Sequence, residues 1–325
     1  MFALNSNINI GKFTRVRPHE VKITKSIFEY VDKAVIKLPI TSRIVRAGEV
    51  ITATAETAKQ FTEGDPVLIT LGYNNDYETE FEGFVSRVNF TTPLEVECEG
   101  YSYQLRKKQV TGTLIKTSLL EVLKKITEGT DIVLDEKNIP SFKIDKLILT
   151  GKTSLMILEE LKKTSGSLMI FSFNGKTLWG GLAYLHYQSL VKYRLGWNVI
   201  KDGNLKLHQA KNQEITVTWK GEMKDGTKVI ATSGKHGTTK IKSSHAITDK
   251  AALQQLADAD VKKQSFDGYE GKITAFGQPF CQPGDKAELE DKKYPERDGN
   301  YIVNSVEVTY GMSGFRRIVG LGGKL

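Results

Sequence analysis

The sequence predicts a mainly β chain with an α+β insert: two β-barrel-like segments bracketing a helix-containing middle. Three observations carry this. Short alternating or β-branched runs, separated by turn residues, fill the chain up to about residue 110. The period then changes to that of amphipathic helices. From about residue 201 alternation returns, interrupted by one helical stretch at 248–264. The expected division is 1–110, 111–200 and 201–325.

The first segment has strand-like runs at 20–28, 33–40, 66–73, 79–90 and 93–101. Turn signals lie between them: EGDP at 63–66, YNND at 73–76 and TTP at 91–93. Strands of this length and spacing suit a barrel or sandwich.

In the middle, TSLLEVLKKITEG (117–129) sets Leu119, Leu120, Leu123 and Ile126 on one helical face. Thr117 or Ser118 is the expected cap, and Gly129 the stop. A second copy, TSLMILEELKKTSG (153–166), starts Thr-Ser-Leu, carries Leu-Lys-Lys and ends in glycine. Each helix runs into a strand, and Asn174-Gly175 marks a hairpin after the second. The last segment reads as strands, with a helix at 248–264 that Thr248 is expected to cap and that turns Leu253, Leu256, Ala257 and Val261 inward.

Of 325 residues, 39% are hydrophobic and 26% charged, which excludes a disordered chain. No window approaches the roughly 18 apolar residues of a membrane helix. The first residues lack a charged region followed by a long apolar core, so no secretion signal is expected, and folding in a cytoplasm is. Cys98 and Cys281, far apart in alternating contexts, read as small buried residues, not as a disulfide framework or zinc site. The net charge of +8 permits an anionic partner without demanding one.

The search for chemistry is negative. TGKTSL at 150–155 opens a helix as a phosphate loop would, but the first glycine of that loop would fall at Lys146. His19, His186, His208, His236 and His245 show no metal-ligand spacing. No Gly-x-Ser-x-Gly elbow exists. Asp131, Asp135 and Glu136, or Glu288, Glu290 and Asp291, would have to face each other across a cleft to act as an acid/base pair. The basic stretch 220–242 has one bordering aromatic, Trp219, too few for a single-strand platform, and reads as a solvated loop or a contact to an acidic protein. No catalytic, cofactor or metal residues are assigned.

The C-terminal third carries an ordered pattern: a helix with ALQQLADADV, then FDGYEGKITAFGQPFCQPGDKAELED, then RDGNYIVNSVEVTYGMSGFRRIVGL. Its marker residues are Gly277, Pro279, Pro283, Gly284, Asp285, Gly299, Tyr301 and Gly314. This order resembles the end of the phage late-control D family, the baseplate hub proteins of contractile tails. FEGFVSRVNFTTPLEVECEGYSYQLRKKQV (81–110) resembles the end of the family's first barrel, and residues 153–181 its middle domain. The resemblance implies a virion structural protein of the tail baseplate, assembled in the bacterial host. Two tube-like β-barrel domains per chain would form a homotrimeric ring joining the tail tube to a central spike, with a lumen that DNA passes through. The spike is expected to be a separate protein, because no oligosaccharide-fold, β-helix or lysozyme-like domain is visible. A histidine found near VEVTY in many relatives is absent, so no side-chain role is carried over there. The alternatives are a tail-associated cell-wall hydrolase and a nucleic-acid-binding β protein. From the residues themselves, Pro283 and Gly284 are expected to form a tight turn, with Asp285 bonding back to the backbone.

Overall fold

The structure, a computed structural model, describes residues 3–43, 54–182, 189–202, 205–209, 214–223, 226–235 and 237–325. It is mainly β, with an α+β portion between the first and last strands. Thirteen strands join into one sheet. Along its main path lie Leu4–Ile10, Pro66–Tyr73, Asp76–Asn89, Leu94–Glu99, Glu29–Leu38, Glu20–Ser26, Gly299–Gly311, Gly314–Lys324, Gly268–Phe276 and Val199–Lys201. Every pairing on that path is antiparallel. The first and last parts of the chain meet where Glu20–Ser26 pairs with Gly299–Gly311, setting Ile23 opposite Val308.

The alternating pattern explains why these runs are strands. In Glu29–Leu38, Ala34, Ile36 and Leu38 are buried while Lys33 and Lys37, on the opposite face, reach solvent. The YNND hairpin turns through Asn74 and Asn75, both at positive φ, a conformation asparagine tolerates. An edge is finished by Leu190–Arg194 running parallel to Lys286–Glu290. There Lys192 pairs with Glu288 at 3.2 Å and Arg194 with Glu290 at 2.7 Å, while Ala287 and Leu289 face inward.

Four α-helices are present among the described residues: α1 (Ser102–Lys107), α2 (Leu119–Thr127), α3 (Ser154–Thr164) and α4 (Lys250–Gln264). Helix α2 begins in a capping box, the Ser118 hydroxyl accepting from Glu121 N–H and the Glu121 carboxylate accepting from Ser118 N–H. Its buried face is Leu119, Val122, Leu123 and Ile126; Leu120, expected inside, is half-buried. Thr153 caps α3, and Gly166, at φ +62, follows its end. The expected cap of α4 needs correcting. Asp249 caps it, accepting from Ala252 N–H, whereas the Thr248 hydroxyl donates to Asp145 at 2.6 Å.

Two cores form, and they cut across the linear division at 110 and 200. One gathers the inner faces of both β segments, from Ile8 and Val85 to Val306 and Leu321, and includes Val191, Tyr193 and Val199 from before residue 200. The other gathers α2 and α3, the strands Met169–Asn174 and Thr177–Leu182, and also Val217, Trp219, Leu253 and Leu256 from beyond 201. The reason is lateral pairing. Ile215–Glu222, Lys228–Gly234 and Thr238–Ser244 form a separate three-stranded sheet whose inner side meets α4. The alternation of Val, Ile, Thr and Trp predicts these strands, and within the basic stretch 220–242, read above as a solvated loop or a contact to an acidic protein, most of the described residues are strand.

Candidate functional site

The marker residues converge on one place, the loop 277–285 and the two long strands beside it. Gly277 sits where an added Cβ would come within 2.1 Å of the Phe315 ring. Only a residue without a side chain permits that approach. Its N–H donates to Phe315 O at 3.0 Å. Pro279 follows through a cis Gln278–Pro279 bond. The turn closes at Pro283 and Gly284, the latter at φ +93. Asp285, 4% exposed, holds it from inside. One carboxylate oxygen accepts from Gln282 N–H at 2.7 Å, the other from Ser189 N–H at 3.0 Å. Burial raises the Asp285 carboxyl above its ordinary range, against the lowering effect of those two bonds and of Arg317.

Tyr301 is buried, and its hydroxyl donates to Arg297 O at 2.9 Å. Gly299, at φ +152, lies under the end of the Lys324 side chain. Gly314, at φ +102, ends the hairpin turn Met312–Ser313 between the two long strands.

At the centre is a residue that the sequence search passed over. Arg317 is 1% exposed. Its guanidinium donates to Glu80 at 2.5 and 3.2 Å, to Gly277 O at 2.9 and 3.0 Å, and to Cys281 O at 3.1 Å. Phe280 lies against its face, 5.2 Å from the ring centre. Glu80, 2% exposed, comes from the other β segment. It reaches inward because of a bulge: Ile69 pairs with Phe81 and Thr70 with Thr79, which leaves Glu80 as the extra residue. The only sequence trace is parity. Arg317 falls on the same side of its strand as Phe315, Val319 and Leu321, all buried.

Two further bonds join the last long strand and this loop to the first β segment. The Tyr73 hydroxyl donates to Phe315 O at 3.0 Å, and the Gln278 amide donates to Asp76 at 3.4 Å. The buried Tyr193 hydroxyl meets no hydrogen-bond partner among the described residues. Burial pushes the Cys281 thiol up to about 12 and holds the Cys98 thiol higher still. The arrangement holds backbone and charge in place, and both thiols are buried.

The other residues singled out from sequence do not assemble with it. Lys152 of TGKTSL pairs with Glu160 and donates to Ile148 O at 2.8 Å. Asp131 accepts from Gln104, Asp135 from Asn138, and Glu136 pairs with Lys124. Glu288 and Glu290 hold the strand pair above, and Asp291 accepts from Arg297 at 3.2 Å. His208 stacks on Phe266 and pairs with Glu270, His19 donates its N–H to Lys37 O, and His245 is exposed. His186 and His236 lie outside the described residues. No group of three or more metal-ligating side chains occurs among the described residues, and no helix is long and apolar enough to cross a membrane.

No family model and no curated protein matches the sequence. Solved structures do match in fold. A tail protein from Neisseria meningitidis aligns with a TM-score of 0.67 at 14% identity, covering 98% of this chain and 96% of that one. The 43 kDa tail protein of a Shewanella oneidensis prophage also aligns at 0.67, with 11% identity and 98% of each chain covered. An Escherichia coli component of the type VI secretion system, described as similar to bacteriophage T4 tail proteins, aligns at 0.61 with 11% identity, covering 98% of this chain and 77% of that one. The chain has the fold of these tail proteins.

Proposed function

We propose that the protein is the structural baseplate hub of a phage tail or related contractile injection system. Three copies form a ring that joins the tail tube to a central spike, and the two β segments act as its two tube-like modules. The carrying observation is the fold match over nearly the whole length of this chain and of two tail proteins. Within the chain, the edge-to-edge joining of the two β segments supports the reading. A trimer whose chains each offer two similar modules presents six positions to a six-fold tube and three to a spike.

The activity is geometric. The clamp of Arg317 on Glu80 and on the loop 277–281 fixes one β segment against the other, and a ring transmits force only if its modules keep their mutual angle. Light-scattering mass, measured on the chain alone and co-expressed with a candidate spike protein, tests the reading. The expected result is three times the chain mass in at least the second sample, with three-fold rings in electron micrographs. A monomer in both samples overturns it.

A further inference from the structure

The edge strand Leu4–Ile10 has a charged structure at each end, and the two are of opposite sign. Beyond Ile10 runs the loop 11–19, which exposes Lys12, Arg15 and Arg17. The loop is pinned to the strand. Val16 N–H donates to Ile8 O at 2.8 Å, and Arg15 N–H to the Asn9 side-chain oxygen at 3.3 Å. Phe13 packs edge-on against Phe61, ring centres 5.8 Å apart. Arg15 sits at φ +56, a conformation that residues other than glycine take at some cost. The carboxylate beside the loop, Asp65, accepts from Thr62 N–H at 2.8 Å.

At the other end, the hairpin joining Pro66–Tyr73 to Asp76–Asn89 exposes Asp76 and Glu78. It too is pinned. Ala3 N–H donates to the Asn74 side-chain oxygen at 2.9 Å, and Asn75 N–H to that of Asn5 at 3.1 Å. Tyr77, 40% exposed, stands between the two carboxylates in sequence. An aromatic ring beside carboxylates suits an arginine. Register sets the separation of the two ends. Leu4 pairs with Tyr73 and Ile10 with Val67, so about 20 Å of strand lies between them.

Lys12, Arg15, Arg17, Asp76 and Glu78 form no ion pair among the described residues, whereas Lys22, Lys37 and Lys59 of the same β segment pair with Glu307, Glu20 and Glu56. Asp76 accepts only the long bond from the Gln278 amide, at 3.4 Å. Opposite charges fixed at the two ends of one strand can meet between copies and not within one. Such a contact joins two different patches, which is the kind that closes into a ring. We propose that the loop 12–17 of one copy docks on the hairpin 74–78 of a second copy, with Lys12, Arg15 and Arg17 meeting Asp76 and Glu78 beside Tyr77. The contact rests on the ring reading above and supplies one of its interfaces.

Charge reversal tests it, read as the light-scattering mass of the full chain under the condition in which the parent is trimeric, with circular dichroism to check the fold. Lys12→Glu with Arg17→Glu reverses the loop and leaves the Arg15 backbone alone. Asp76→Lys with Glu78→Lys reverses the hairpin. Each pair sets like charges together and is expected to weaken association by at least about tenfold. The milder Lys12→Gln with Arg17→Gln is expected to weaken it by less. The chain carrying all four reversals is expected to regain the parent mass, because every contact again joins opposite signs. Lys146→Glu, on the strand Lys143–Ile148, is expected to assemble as the parent does. A folded chain reversed at one end that keeps the parent affinity overturns the contact and leaves the ring standing. A loss that the fourfold chain does not recover assigns the loop to another acidic surface and overturns the second copy as its partner. A parent that is monomeric in every sample overturns the ring and this contact together.

Discussion

Arg317 and Glu80 show how much one pair of residues can decide. Neither charge reaches solvent, so each depends on the other. Removing one partner leaves the second buried and uncompensated, which costs about 3–5 kcal/mol. Glu80→Ala is therefore expected to lower unfolding free energy by about that amount in a denaturant titration. Pairing Glu80→Leu with Arg317→Met should recover only part of the loss: the apolar pair carries no stranded charge, but Gly277 O and Cys281 O lose their donor. Asp32 gives a test in pH. Burial pushes its carboxyl up to about 6, with Lys25 opposing. Between its ordinary value near 4 and about 6, the folded chain keeps a proton that the unfolded chain has lost. The group's contribution is thus fully present in acid and is lost as pH rises through about 6. Asp32→Asn keeps that position neutral, so variant and parent should match in stability near pH 4 and the variant should be the more stable at pH 7. A parent that gains on the variant as pH rises would refute the assignment.

At the scale of elements, local rules read most of the chain. Strand 66–73 and its YNND turn follow from alternation and asparagine, and the starts of α2 and α3 from hydroxyl caps. Helix α4 shows where this reading stops. Thr248 and Asp249 are adjacent and both can cap. The choice falls to Asp249 because Asp145, more than a hundred residues earlier, accepts from both the hydroxyl and the N–H of Thr248. Asp249→Ala is expected to cost about 1 kcal/mol. Thr248→Val should act through the half-buried carboxylate of Asp145, so combining it with Asp145→Asn should give less than the sum of the single losses. Additive losses in thermal unfolding would contradict that account.

For the whole molecule, the decisive contact is the junction of Glu20–Ser26 with Gly299–Gly311. It turns two β segments into one sheet over one core. A proline at Ile23 removes a ladder N–H in the middle of that sheet, where proline is scarcely tolerated. Ile23→Pro is expected to raise hydrogen exchange in residues 66–99 and 268–321 together, as parts of one cooperative unit. Faster exchange confined to 20–38 would mean that the segments open separately.

What could be read from the sequence was whatever depends on near neighbours: strand and helix periods, the Pro283-Gly284 turn, and the ordered pattern of the last third. Period and turn chemistry act over a few residues, so they are written locally. The fold itself settled which elements share a core and that a bulge sends Glu80 to Arg317. A bulge exists only relative to its partner strand, and a buried charge is stable only beside its counter-charge. The counter-charge of Glu80 lies more than two hundred positions away, and no local pattern encodes such a meeting.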